Sequence, residues 1–125
     1  NLTEEWEKAA LKNGDDGALY QGCLVIRREF AEQYPETVKK FLADYKASVA
    51  FIHEELDLAA ETVASCELIP SAAVAKKAIP DANIVCITGE EMIQGLSGFF
   101  KVLHGSNPKS VGGKLPDENI FYSEK

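Results

Sequence analysis

The 125 residues carry 13 Lys and Arg against 20 Asp and Glu, a formal charge of −7. An acidic chain without a basic stripe excludes a nucleic-acid binder, because nothing in it displaces phosphate counterions. Its 46% hydrophobic and 26% charged residues suit one globular domain, and no run nears the ~20 apolar residues that span a bilayer.

The chain opens on Asn1 and is expected to continue a longer gene product whose export signal would lie upstream. Residues 2–11 predict a short helix. Thr3 is placed as its N-cap, Glu4 and Glu5 favour the first turn, and Trp6, Ala9 and Ala10 form a small apolar face. Asn13, Gly14, Asp15, Asp16 and Gly17 make the clearest turn. Residues 19–26 then read as a strand. Leu24, Val25 and Ile26 give it the continuous apolar run of a strand covered on both faces.

Residues 28–34 predict a short helix that breaks near Tyr34, since a residue before proline is pushed out of the α region. Pro35 opens a long helix, where its missing N–H costs nothing. Val38, Phe41, Leu42, Tyr45, Val49 and Ile52 recur along it at helical spacing, and Glu36 is set to pair with Lys40. A second helix starts near Glu54 or Glu55 and turns Leu56, Ala59, Ala60, Val63 and Ala64 inward. Pro70 and Ser71 open a third, with Val74, Ala75, Ala78 and Ile79 inward and Pro80 at its end. Residues 83–87 predict a weaker strand. Thr88 and Glu91 form a capping box. The helix behind it lines up Met92, Ile93, Leu96, Phe99, Phe100 and Leu103. Gly95 and Gly98 leave room there for another backbone. An irregular polar tail follows Gly105, and Ile120, Phe121 and Tyr122 are expected to dock as a last anchor.

One or two short strands do not make a stable sheet, and buried backbone groups must pair. The strand at 19–26 therefore predicts partners elsewhere, in a second copy or in the rest of a longer protein.

Candidates for chemistry are few. Cys23, Cys66 and Cys86 show no CxxC or metal spacing and read as small buried hydrophobes; their odd number fits a reduced compartment or an exported protein that does not use disulfides. His53 and His104 fall in last helical turns, where they favour the dipole. A Cys23 pair with either histidine has no surrounding signature. Gly112, Gly113 and Lys114 fail as a phosphate loop, because Leu115 stands where Ser or Thr is needed. Asp15 and Asp16 lack the remaining ligands of a calcium loop. The candidate ligand-binding residues are Tyr20, Gln21, Gly22 and Cys23. A phenol, an amide and a glycine here precede an apolar strand, and Gly22 lets a ligand or backbone come close. The same residues also fit an ordinary strand entry. No catalytic residue, metal or cofactor is predicted.

The run from Leu24 through Arg27, Arg28, Glu29, Phe30, Tyr34, Pro35, Val38 and Lys40 to Leu42 resembles a segment of bacterial ABC-transporter solute-binding proteins. The similar branch is the one taking nitrate, sulfonates, taurine and thiamine precursors. Residues 70–80, 83–87, 89–103 and the Gly112, Gly113, Lys114, Leu115, Pro116 tail also look like these proteins. The resemblance implies a helix-rich α/β fold, the C-terminal part of a bilobal type II periplasmic-binding protein. On that reading residues 1–17 end the second lobe and form the hinge, and residues 18–125 belong to the first lobe, incomplete without an N-terminal half.

It further implies an extracytoplasmic component, periplasmic or lipoprotein-anchored, that closes around a small-molecule ligand by hinge motion and delivers it to an ABC permease. The protein would be no enzyme. The free strand edge predicts a homodimer by strand pairing or exchange where the chain stands alone. The alternatives are a helical protein-interaction module and, third, a thiol hydrolase using Cys23.

Overall fold

The computed structural model describes residues 2–12 and 19–123. Helix covers 71% of the described residues and none of them is in a strand, which overturns the α/β and type II periplasmic-binding expectation. Residues 19–27 and 84–88 are irregular and form no strand or bridge among the described residues. The reason is the one that made the strand suspect. A strand forms only when a neighbour supplies backbone hydrogen bonds, and residues 21–26 find none among the described residues. The turn expected at residues 13–17 lies outside the described residues.

The chain divides into two compact units, Ile26–Cys86 and a second built from Asn1–Val25 with Ile87–Lys125. In the first, α2 (Arg28–Gln33) gives way at Tyr34 (φ −128°, ψ 55°) to α3 (Pro35–Glu54). This is the pre-proline break that the sequence predicts. The Tyr34 N–H closes α2 on the Phe30 carbonyl at 2.9 Å, and the two rings lie 5.0 Å apart. Only Val38 of α3 is buried, and Phe41 is 51% exposed. Lys40 reaches forward to Asp44 at 2.7 Å and not back to Glu36.

A second single-residue break at Glu55 (φ −121°, ψ 53°) separates α3 from α4 (Leu56–Ser65), although neither Pro nor Gly marks it. His53, in the last turn of α3, donates from Nε2 to the Ile84 carbonyl at 2.8 Å and ties the irregular segment to this unit.

The core of this unit lies between α4 and α5 (Ala72–Ala78), which Ser71 caps through the Val74 N–H. Ala60, Ala75 and Ile79 are buried, with Ile52, Leu56, Val63, Ile69 and Ala72 packed on them. Alanines at the crossing let the two helix axes come close. Val74, expected inward, is exposed. An ion pair from Lys76 to Asp57 links the two helices at their rim, where exposed pairs contribute about 0–1 kcal/mol. Pro80 does not end the helix outright, because the chain tightens into a 3₁₀ turn at Ile79–Asp81.

In the other unit, α1 (Leu2–Lys12) packs on α6 (Gly89–Ser106), with Ala10 buried and the Trp6 ring 4.9 Å from Phe99. Thr3 lies inside α1, which begins at Leu2, and not at the N-cap position expected. Thr88 sits at the N-cap of α6 in extended conformation without a side-chain cap, so the expected capping box is not closed. Gly89 enters the helix at φ +64°. Val102, Gly95 and Gly98 are buried on α6. The tail is ordered. Asn107 accepts from the Lys109 N–H, Ser110 donates to the Asn107 and Leu103 carbonyls, and Phe121 stacks on Phe100 at 6.4 Å.

Candidate functional site

The candidate residues lie at the start of the segment 19–27, within the unit that contains α1 and α6. Tyr20 is half-buried, and its ring stands perpendicular to that of Phe99, with centroids 5.9 Å apart at 88°. Offset and edge-on aromatic pairs of this kind are favoured by the ring quadrupole. A Cβ added at Gly95 would overlap the Tyr20 hydroxyl and lie 2.8 Å from Cζ. Gly95 therefore receives a side chain, not the backbone that the sequence led us to expect. Trp6, Phe99 and Tyr20 form one aromatic group, joined through Phe99 to Phe100 and Phe121.

Gln21, Gly22 and Cys23 do not join Tyr20 there. All three are exposed. Nothing lies within 4 Å of a Cβ built on Gly22, so no close approach explains that glycine. Beyond them Leu24 is 58%, Val25 90% and Ile26 42% exposed. Cys66 is exposed and Cys86 half-buried, so no cysteine is the buried hydrophobe expected. Among the described residues no hydrogen bond joins Cys23 to His104, which lies in the same unit.

The rest of the surface is plain. The hollow between Glu36, Thr37, Lys40, Phe41 and Asp44 runs along the first turns of α3 alone. A second, lined by Asp57, Glu61, Ala73 and Lys76, lies over the α4–α5 rim. Among the described residues no polar or charged side chain is buried, and no three His, Cys, Asp or Glu gather to hold a metal ion. Nor is any described helix long and apolar enough to cross a membrane.

Comparisons with family models, characterised proteins and solved structures give no match. The reading of function thus rests on the residues and on the resemblance carried by residues 24–42.

What the sequence missed is the seat of Tyr20. The sequence presents Gly95 as room for another backbone and Phe99 as a core position of one helix. Nothing local ties either to a residue far earlier in the chain.

Proposed function

We propose that this chain is a portion of the extracytoplasmic solute-binding component of an ABC importer. Its partners are a small molecule and an ABC permease, and it performs no reaction on what it carries. The order of elements supports the reading. An apolar run, a helix of 6 residues, a proline break and a helix of 20 residues follow one another, as in the segment it resembles. This reading of function does not restore the two-lobed sheet.

The observation that carries it is the state of residues 21–26. They are exposed, they hold three large apolar side chains, and their backbone has no partner among the described residues. Apolar side chains and bare amides in one stretch call for a further surface. The test is thermal unfolding of the full gene product with nitrate, taurine, a pyrimidine and a flavin added in turn. A ligand that binds only the native state raises Tm as its concentration passes Kd. A rise with one of these is expected, and no shift with any of them overturns the proposal.

A helical interaction module is the second reading. Leu24, Val25, Phe41, Leu58 and Leu68, all exposed, favour it. It predicts no small-molecule shift.

A further inference from the structure

We infer that Gly95 is the seat that positions Tyr20, and that Tyr20 anchors the candidate segment instead of touching a ligand. The second half of this inference rests on the solute-binding reading. The first half stands on geometry alone.

Glycine inside a helix is ordinarily a weakness, because it loses more backbone freedom than alanine and packs nothing. Gly95 stands inside α6 and is buried. Its φ is not in the left-handed region, so no backbone conformation demands it. What demands it is space. The Tyr20 phenol fills the volume that any Cβ would take, with Cζ at 2.8 Å and Cε2 at 3.1 Å from that position. The ring rests on Phe99, one helical turn further along, and Trp6 covers another part of Phe99. A phenol held between a glycine notch and an aromatic ring has a fixed direction. The chain leaving it is fixed in direction too, while Gln21, Gly22 and Cys23 project into solvent. A hydroxyl laid against α6 is not presented to a solute. Contact with ligand then falls to Gln21 and Cys23.

The decisive experiment is a cycle of Gly95→Ala and Tyr20→Ala in the full chain, read by Tm and by the emission of Trp6, the single tryptophan. With Tyr20 removed, Gly95→Ala adds a better helix former to an empty notch and is expected to raise Tm. With Tyr20 present, the same change evicts the phenol. It is expected to lower Tm or leave it flat and to shift the Trp6 emission. An equal rise in both backgrounds, with unchanged emission, overturns the seat. In the same chains Tyr20→Phe is expected to keep any ligand-induced rise in Tm, and Gln21→Ala to abolish it. Loss of that rise in Tyr20→Phe with an intact cycle would return Tyr20 to the ligand site. Absence of any ligand response would count against the solute-binding reading and leave the cycle to decide the seat.

Discussion

Two residues in the left-handed region show how single positions carry strain or relieve it. Glu67 follows α4 at φ +57°, and its N–H donates to the Ala64 carbonyl while Leu68 reaches the Val63 carbonyl at 3.3 Å. This is the position after a helix that glycine ordinarily takes. A side chain in that conformation costs about 1–2 kcal/mol, partly offset by the smaller entropy that glutamate loses on folding. Glu67→Gly is therefore expected to stabilise the chain by about 0.5–1 kcal/mol, measured by urea unfolding. Gly89 is the mirror case. It enters α6 at φ +64° with open space around it, so a Cβ meets backbone strain and no neighbour. Gly89→Ala is expected to destabilise by roughly the same 0.5–1 kcal/mol. If the Gly89→Ala chain unfolds at unchanged urea concentration, the conformation at residue 89 is not held. The two substitutions also touch different units, and their effects are expected to add.

Two helix boundaries were readable from one residue acting on its own neighbours: Pro35 sets the break at Tyr34, and Ser71 caps α5. The reading failed where the outcome needs a distant group, and also at two local patterns, the caps expected at Thr3 and Thr88. Residues 19–26 have strand-like side chains, but a strand requires a partner that the described residues lack. Thr88 and Glu91 match the capping-box pattern, yet Gly89 at φ +64° begins the helix and the Thr88 side chain makes no cap. This contrast gives a test. Ser71→Ala removes a hydrogen bond to the Val74 N–H, and because that bond is long at 3.4 Å the expected loss is about 0.5–1 kcal/mol. Thr88→Ala removes no such bond and is expected to stay within about 0.5 kcal/mol of the parent. Thermal unfolding of the two variants side by side measures it. A larger effect at Thr88 would mean that the capping box closes after all. The candidate site was readable in part for the same reason. The polar entry to an apolar run is a local pattern, whereas the seat of Tyr20 depends on Gly95 and Phe99, which only the folded chain brings to it.

For the molecule as a whole, the exposed run at Leu24, Val25 and Ile26 sets the expected behaviour in solution. A segment with free amides and apolar side chains pairs readily with another like itself. Two copies aligned antiparallel would satisfy each other's backbone in one symmetric contact. The contact would be small, because a few residues from each copy fall well below the ~1,200 Å² of a specific interface. Each copy also carries −7, and that repulsion is screened as salt rises. Association is therefore expected to be weak, to grow with protein concentration, and to strengthen between low and physiological salt. Val25→Lys tests the location cleanly. Val25 is 90% exposed, so the change is expected to leave Tm nearly untouched. The added positive charge lessens the repulsion between copies, so a loss of association in this variant cannot come from net charge. Sedimentation velocity over a concentration series is expected to show the variant as monomer where the parent self-associates. Association that survives Val25→Lys would place the contact on another face, with Phe41 and Leu58 the next exposed apolar side chains to replace.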